Sequence, residues 1–387
     1  MTPVELSRTV LHAVRRAVDV GELRVSVPER VVVGPPGPGG CGDYATNVAL
    51  QLARPAGQPA QRVAHVLRRH LVACDGIDDV SVTGPGFLNI SLRDSGGGSG
   101  RLVAEILRRG PRYGHVERGQ GGSRRGVLLR CPCDVRAVVV TDVVARLFQA
   151  QGHEVRIGCD SPPPPEWATL LGVRLDAFDS IHAFDGVDAF GQGAVGRRRF
   201  ARGDVRPVPV PQPACPEVLA LGRDAGRWAL LHPAGHDRAR IDREHLVQRE
   251  SNPLFRVRYA YARTRALRRN AADLGFRPEP GPVATEVTAT SPVTAGTIAT
   301  VARPLLTGLA DHPRVLAQAA AHHAPDRLAR HLVSVADAVL PLLPAVLPLG
   351  EEKPSAAHRA RLALAEAAGT VLAGGLSLLG VDAPDHL

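Results

Sequence analysis

The chain has 387 residues, enough for two or three domains and a substantial hydrophobic core, which excludes a peptide-scale scaffold. Its formal net charge at pH 7 is +9, and Lys353 is its single lysine, so nearly all of the positive charge is arginine. Arginine binds phosphates bidentately, which predicts a polyanionic partner, although a GC-rich genome produces the same arginine-for-lysine bias.

The cysteines and the apolar runs indicate a cytoplasmic protein. Six cysteines are scattered through a sequence that begins without a signal peptide, so we expect free thiols in a reducing compartment. Cys131 and Cys133 are the only close pair, and without a second pair at ligand spacing we predict no metal site. Charged residues or prolines interrupt each apolar run before the roughly 20 residues of a membrane span, so we expect no membrane contact.

The first hundred residues alternate helical and strand patterns. We predict an amphipathic helix over 4–20, a strand near 30–33, a helix over 59–74 and a strand pair over 77–83 and 87–92. The Pro/Gly-rich loop 34–42 lacks the Lys-Ser/Thr ending of a nucleotide P-loop and is predicted to be a connector.

Two motifs of this region resemble a known family. GDYATNVAL at 42–50 and GPGFLNI at 84–90 are similar to the N-terminal domain of arginyl-tRNA synthetases, a small α+β unit that contacts the D-loop corner of tRNA. The resemblance implies such a domain over 1–118. It also implies that Phe87 and Asn89 receive an extruded base, with Tyr44 and Asn47 supporting them. The alternative is that these four residues simply build the turn and core of the domain.

The middle of the chain reads as a β-α-β unit, with strands at 126–130 and 153–157 and a helix at 137–149 between them. TDVVARLFQAQGHEV resembles the helix and strand that follow the ATP-binding signature of class I synthetases. The signature itself, His-x-Gly-His, is missing, because the corresponding sequence is RCPCDVRAVV. The second signature, Lys-Met-Ser-Lys-Ser, cannot occur in a chain whose only lysine is Lys353 and only methionine is Met1.

The remainder of the middle is short. Only about 60 residues, rich in glycine, arginine and proline, separate Asp160 from Val218, so we predict a truncated, Rossmann-like remnant of the catalytic domain over 124–225. A partly disordered spacer in this section is the alternative. His232-Pro-Ala-Gly-His236 lies where the family has a variable loop and is interpreted as surface.

The stretch Ser251–Arg269, SNPLFRVRYAYARTRALRR, predicts a helix that begins at Asn252-Pro253 and carries six arginines without a carboxylate. Phe255 and Tyr259 stand one turn apart between two rows of arginines: Arg256 and Arg263 on one edge, and Arg258, Arg265 and Arg269 on the other. Two aromatic faces between guanidinium groups suit an unstacked base and its phosphates. An ordinary amphipathic helix with solvated arginines is the alternative.

NPLFRVRYAYAR resembles the NPxxYxQYAHAR segment that opens the anticodon-binding domain of arginyl-tRNA synthetases. Arg256, Arg258 and Tyr261 stand where the family usually has tyrosine, glutamine and histidine. RLARHLVSVADAV at 327–339 and the run at 358–384, which contains LLGVDAP, resemble the closing helices of the same domain. The resemblance implies an all-α helical-bundle domain over 226–387.

We therefore predict a multidomain fold with a small α+β N-terminal domain, a Rossmann-like α/β middle and an all-α C-terminal domain. Without either signature, the predicted function is non-catalytic binding of tRNA or a tRNA-like RNA by a pseudoenzyme with no catalytic residues, cofactor or metal. Two alternatives stay open: an active arginine–tRNA ligase with an atypical centre, and a protein-interaction module that uses the helical domain. The predicted RNA-binding residues are Tyr44, Asn47, Phe87, Asn89, Asn252, Phe255, Arg256, Arg258, Tyr259, Arg263, Arg265 and Arg269.

Overall fold

The computed structural model describes residues 3–34, 36, 43–92, 97–116, 126–174, 178–180, 200–283 and 295–386. The chain divides into two compact units, Met1–Arg101 and Leu102–Leu387. Each unit has its own hydrophobic core. Within the second unit, the middle segment and the C-terminal helices share one continuous core, while the domain boundaries near 118 and 225 stay predictions.

The N-terminal unit packs helices against an antiparallel sheet. Its elements are α1 (Pro3–Asp19), β1 (Val33–Gly34), β2 (Tyr44–Thr46), α2 (Val48–Ala56), α3 (Ala60–Val72), β3 (Ile77–Thr83) and β4 (Phe87–Leu92), and α4 (Gly97–Arg109) follows. The described strands lie in the order β1-β2-β4-β3. Leu88 and Ile90 are fully buried and pair with Thr46 and Tyr44 of β2, so alternate residues of β4 face the core. The α+β prediction is confirmed.

The second unit begins with a parallel sheet. Its described strands are β5 (Gly126–Cys131), β6 (Glu154–Cys159), β7 (Phe178–Ser180) and β8 (Phe200–Asp204), and α5 (Val135–Ala150) connects β5 to β6. The order β7-β6-β5-β8 places β6 and β8 on opposite sides of β5, with every pairing parallel. The order therefore reverses at β5, as in doubly wound folds. This sheet is larger than the β-α-β unit read from the sequence, while the predicted Rossmann-like class is confirmed.

Helices form the rest of the second unit. They are α6 (Glu166–Leu171), α7 (Cys215–Ala220), α8 (Gly222–Leu231), α9 (Pro253–Asp273), α10 (Ala295–Ala321), α11 (Pro325–Val339) and α12 (Ala356–Leu379). Between α8 and α9 the chain forms a 3-10 turn, Arg243–Leu246. The all-α prediction for the C-terminal segment is confirmed.

Two helical stretches of the described chain, Pro325–Ala345 and Ala356–Leu379, are long and apolar enough to cross a membrane by length and composition alone. Burial explains their composition, because Leu332 on α11 and Leu364 and Leu372 on α12 are fully buried in the core. Core helices of water-soluble proteins pass the same test, so these stretches are weak support for a membrane contact.

Candidate functional site

The start of α9 is built as the sequence predicts, and Asn252 is its N-cap. The Asn252 side-chain oxygen accepts hydrogen bonds from the backbone amides of Leu254 (3.0 Å) and Phe255 (3.4 Å). Its amide nitrogen donates to the carbonyl oxygens of His245 (3.0 Å) and Val247 (2.9 Å). Asn252 is 7% exposed and bonded at both ends of its amide, so it acts here as the cap that fixes the direction of α9.

Phe255 and Tyr259 form the aromatic pair expected from their spacing. Their ring centroids lie 5.6 Å apart at an interplanar angle of 24°, a stacked arrangement. Tyr259 is 39% exposed, whereas Phe255 is half-buried. Tyr259 therefore offers an open ring face to solvent, and Phe255 supports it from the preceding turn.

Most of the arginines of α9 already have acidic partners from other elements. Arg256 pairs with Asp337 at 3.1 Å and Arg258 with Asp224 at 3.3 Å. The Nε atoms of Arg256 and Arg258 are buried without a hydrogen-bond partner in the described structure, so these guanidinium groups are held against the protein. Their charges are partly neutralised inside the fold, which leaves less positive potential for a phosphate.

The end of the chain covers another edge of α9. Asp385 accepts hydrogen bonds from the Tyr261 hydroxyl at 2.9 Å and from Arg265 Nε at 3.1 Å. One turn along, Arg269 lies 3.4 Å from the His386 ring nitrogen Nδ1. The Asp385 carboxylate thus lies beside Arg265, where the pattern of arginines predicts a phosphate.

Two further arginines complete the surface. Arg268, absent from the predicted set, pairs with Glu366 of α12 at 3.0 Å. Arg263 is exposed, and in the described part of the chain it has no ion-pair partner. The acidic partners were missed because they come from distant segments, although Asp337 and Glu366 lie within quoted stretches and Asp385 directly follows LLGVDAP. Tyr259 and Arg263 are consequently exposed groups of the predicted set, as is Arg269, which contacts His386.

The four predicted residues of the N-terminal unit occupy different environments. Tyr44 is buried in the core, and Asn89, 1% exposed, donates a 2.7 Å hydrogen bond to the hydroxyl of Thr83. Asn47 precedes α2 and accepts a hydrogen bond from Gln51 through its side chain. Phe87 begins β4 and is 42% exposed. Of these residues, Phe87 alone presents a large ring to solvent, and Asn89 lies two residues along the same strand.

A second basic surface in this unit was not predicted. One face of α3 carries Arg62, His65, Arg68 and Arg69 along a groove of about 800 Å³. Glu22 also lines this groove, and it accepts hydrogen bonds from Arg69 at 3.0 Å and from His70 at 2.8 Å. The helical spacing of the basic residues was a usable signal in the sequence.

The carboxyl edge of the parallel sheet is where ligands bind in doubly wound folds. There Asp134 caps α5, accepting hydrogen bonds from the amides of Arg136 (3.0 Å) and Ala137 (3.1 Å). A carboxylate therefore occupies the helix N-terminus that would otherwise attract an anion.

Arg136 organises the chain next to this edge. Its guanidinium is fully buried and donates to five backbone carbonyl oxygens, which belong to Val208, Leu230, Pro233, Ala234 and Asp237. Burial lowers the pKa of Arg136, while the nearby Asp134, Asp237 and Asp326 oppose that shift. Each of the five N–H groups of the Arg136 guanidinium therefore donates a hydrogen bond. Arg136 therefore fixes the two loops that follow β8 and α8.

A cavity of about 200 Å³ opens between these loops. Asp204, Arg206, His322, His323 and Asp326 are among its lining residues. Its volume is below the roughly 300–1,000 Å³ of typical small-molecule pockets. Among the described residues, no group of three or more His, Cys, Asp or Glu side chains is arranged to hold a metal ion.

Two family models match the chain. The model described as "Arginyl tRNA synthetase N terminal domain" matches residues 5–92. The model described as "DALR anticodon binding domain" matches residues 257–387. The second match supports tRNA as a partner, and it begins within α9.

Curated relatives align over the full length. An arginine–tRNA ligase from Frankia alni is 26% identical over 569 aligned residues, covering 100% of both chains, and one from Kineococcus radiotolerans is 26% identical with the same coverage. One from Renibacterium salmoninarum is 38% identical over 167 residues, which cover 40% of this chain and 30% of the relative. The full-length alignments are longer than the 387 residues of this chain, so those relatives contain segments that it lacks.

Solved structures show the same fold. Thermus thermophilus arginyl-tRNA synthetase aligns with a TM-score of 0.61 at 14% identity, covering 100% of both chains. The arginyl-tRNA synthetase of Plasmodium falciparum aligns with a TM-score of 0.64 at 9% identity, covering 100% of this chain and 99% of that one.

These comparisons correct the function inferred from the missing signatures. The predictions of a non-catalytic RNA-binding protein and of a pseudoenzyme are wrong, because relatives that align along the whole chain are named arginine–tRNA ligases. The inference gave two short motifs more weight than the arrangement of the domains. The N-terminal and anticodon-binding domain models match 5–92 and 257–387, and the full-length relatives align along the whole chain, so the chain resembles the arginyl-tRNA synthetase family over its entire length.

Proposed function

We propose that this protein is an arginine–tRNA ligase, which joins arginine to the 3′ end of its tRNA at the cost of ATP. The observation that carries the proposal is the sheet order β7-β6-β5-β8, with its reversal at β5, in one core with the DALR-type helices. The reversal supplies an edge for small substrates, and the helices supply a tRNA-binding element. The naming of the full-length relatives supports the same activity.

The described residues of the sheet edge do not by themselves form a site for a triphosphate. Asp134 already occupies the amides at the start of α5, and the adjoining cavity, about 200 Å³, is small for a nucleotide. We therefore assign no catalytic step to a residue here. Asp204 and Asp326 make the same cavity suitable for a cationic group, with Asp326 held by Arg330 at 2.8 Å.

For tRNA, the proposal places a base on Tyr259 with Phe255 behind it, and a phosphate beside the exposed Arg263 of α9. A second base is placed on Phe87 in the N-terminal unit. The exposure of the Tyr259 and Phe87 rings supports this placement, since exposed aromatic faces stack on unpaired bases. We place the protein in the cytoplasm, where tRNA charging takes place.

The test is arginine-dependent ATP–pyrophosphate exchange, measured with and without tRNA, together with charging of tRNA with labelled arginine. We expect both signals to exceed a no-protein control. Asp204→Asn, at the sheet-edge cavity, should lower the rate, whereas Asp78→Asn, an exposed aspartate outside that cavity, should not. A folded protein that gives neither signal with any arginine-accepting tRNA would contradict the proposal.

A further inference from the structure

The segment that follows α12, residues 380–386, is anchored at its start. Val381 is 2% exposed and belongs to the core of the second unit. The backbone amide of Asp382 donates a 3.0 Å hydrogen bond to the carboxylate of Asp224 on α8. The first residues of this segment, which we call the tail, are therefore fixed against the fold.

The tip of the tail, Asp385 and His386, lies on one stripe of α9. Tyr261, Arg265 and Arg269 follow each other at intervals of four residues, which places them on the same face of the helix. One carboxylate oxygen of Asp385 accepts hydrogen bonds from the Tyr261 hydroxyl at 2.9 Å and from Arg265 Nε at 3.1 Å. The ring nitrogen Nδ1 of His386 lies 3.4 Å from the Arg269 guanidinium. The tip therefore contacts every member of the stripe.

The contacts of the tip are exposed, in contrast to the anchored start of the tail. The side chains of Asp385 and Arg265 are 45% and 34% exposed, and Arg269 and His386 are exposed as well. Ion pairs at such positions contribute little to stability, because water solvates both charges and the side chains lose freedom when they pair. The tip can therefore leave α9 while the start of the tail stays in place.

A phosphate needs the same groups that hold Asp385. Guanidinium groups bind phosphates and carboxylates through the same N–H donors. The hydrogen bond from Tyr261, followed by that from Arg265, lowers the pKa of Asp385, so its carboxylate is charged at pH 7. Arg265 Nε carries a single N–H, which Asp385 occupies. Asp385 and an RNA phosphate therefore compete for Arg265.

We propose that the tip of the tail is an autoinhibitory contact, in which Asp385 covers Arg265 in the free protein and leaves it when a phosphate of bound tRNA pairs with Arg265 and Arg269. The identity of the ligand rests on the proposed function, in which α9 binds tRNA. Displacement of the tip adds a phosphate position to the one beside Arg263. The tail lowers the affinity for tRNA, because only the protein with an open tip offers both arginines.

The experiment measures the binding of an arginine-accepting tRNA by filter binding over a range of salt concentrations, without ATP or arginine. Asp385→Asn keeps the shape of the side chain and removes its charge. We expect this variant to bind about two- to fivefold more tightly at low salt, the factor to which a surface ion pair corresponds. The gain should shrink as the salt concentration rises, because salt screens the Asp385–Arg265 pair of the parent protein.

Asp382→Asn is the matched control, because it removes the same charge from the same tail, while the Asp382 carboxylate lies 3.8 Å from Arg223 of α8. It should bind tRNA like the parent protein. Asp385→Asn should also give no gain in an Arg265→Ala background, because the guanidinium for which Asp385 competes is then absent. A general effect of net charge would persist in that background. Circular dichroism checks that each variant is folded.

The proposal is overturned if folded Asp385→Asn has the parental affinity at low salt, if Asp382→Asn gives the same gain, or if the gain persists without Arg265. Failure of both the parent protein and Asp385→Asn to bind tRNA overturns it as well. A protein that shows the expected binding but charges no tRNA contradicts only the proposed ligase activity, because the binding assay contains neither ATP nor arginine.

Discussion

The carboxylate of Asp142 on α5 lies 2.8 Å from the guanidinium of Arg227 on α8, and both side chains are fully buried. Arg146 and Arg174 contact the same carboxylate at 2.9 and 3.0 Å. Burial acts to raise the pKa of Asp142, but Arg227 and Arg146 outweigh it, and the net shift is downward. Arg227 also donates to the carbonyl oxygens of Leu171 and Leu379. One ionic group thus connects the sheet helix α5 with α6, α8 and the end of α12.

Removal of Arg227 should therefore destabilise the second unit strongly. Arg227→Met leaves the Asp142 carboxylate buried without its closest partner from α8, which we expect to cost about 3–5 kcal/mol in the free energy of unfolding. Urea denaturation at pH 7 measures this loss. Arg174→Met is the matched control, because Arg174 contacts the same carboxylate but is 39% exposed, and we expect about 0–1 kcal/mol.

The double variant Asp142→Leu, Arg227→Met separates the ion pair from the fold around it. The double variant removes both fully buried charges and leaves only the partly exposed Arg146 and Arg174 without a carboxylate, so it should be more stable than the sum of the two single losses implies. Additive losses would show that the pair is not coupled.

Gly374 on α12 should not tolerate a side chain. A Cβ at this position would lie 2.7 Å from the backbone carbonyl oxygen of Pro111, which cannot move aside as a side chain can. We expect Gly374→Ala to lower the melting temperature. Gly308 on α10 is the matched control, because a Cβ at this position would lie 3.6 Å from the Val335 side chain, an ordinary van der Waals distance. Gly308→Ala should raise stability by up to about 1 kcal/mol through helix propensity. Equal effects of the two changes would contradict the close contact.

The buried histidines His312 and His331 should make stability depend on pH. Their rings stack at 5.2 Å, and His312 also stacks on Tyr113 at 6.0 Å. Burial lowers the pKa of His331 to about 4 and that of His312 well below its ordinary value. One nitrogen of each ring, Nδ1 of His312 and Nε2 of His331, is buried without a hydrogen-bond partner in the described structure. The folded state therefore holds both rings neutral.

Unfolding exposes these rings to water, and each exposed ring takes up a proton when the pH is below its ordinary pKa of about 6.5. The free energy of unfolding should be highest above about pH 6.5 and should fall as the pH drops toward 4. For His331 the fall should be about 3 kcal/mol, because each unit of difference between the unfolded and folded pKa is worth 1.36 kcal/mol. Urea denaturation at pH 7 and pH 5 measures the part of this fall that occurs above pH 5, about 2 kcal/mol for His331. His331→Leu should reduce the difference, and the exposed His236→Gln serves as its control. An unchanged difference in His331→Leu would exclude this residue as the cause.

Tyr259 should contribute to tRNA binding by stacking. Tyr259→Ala is expected to weaken binding by about 1–3 kcal/mol and to leave its salt dependence nearly unchanged. Tyr261→Phe is the control, because the Tyr261 hydroxyl bonds to Asp385 and its ring faces the other edge of α9. Filter binding at two salt concentrations provides the measurement, with circular dichroism of each variant. A folded Tyr259→Ala protein with parental affinity would place the base elsewhere.

Arg263 and Arg268 should differ in their effect on the salt dependence. Arg263→Ala removes an exposed guanidinium with no described acidic partner, so the plot of log affinity against log salt should flatten by about one unit. Arg268→Ala removes a guanidinium that already pairs with Glu366, and we expect a smaller change. Equal changes in slope would show that internal pairing does not determine which arginines meet phosphates.

Local signals in the sequence predicted much of the fold. Asn252-Pro253 predicted the start of α9, because a side-chain cap and a proline at the first helical position act within three residues. The spacing of Phe255 and Tyr259 placed them one helical turn apart on the same face, and the structure shows that their rings stack on each other. The motifs around Tyr44 and Phe87 indicated the family and the N-terminal α+β unit. The prediction of a pseudoenzyme was wrong, because it rested on the absence of two short signatures, His-x-Gly-His and Lys-Met-Ser-Lys-Ser.

Tertiary structure alone decided which charges of α9 are available. Asp224, Asp337 and Asp385 approach its arginines from other elements, and no periodicity within the helix could indicate them. The same holds for Asp142 and Arg227, and for Cys131 and Cys159, which the register of β5 and β6 makes neighbours. Helical periodicity and caps act over one or two turns, so they can be read in the sequence. Ion pairs and strand register join residues far apart in the chain, so they exist only after packing has fixed which elements meet.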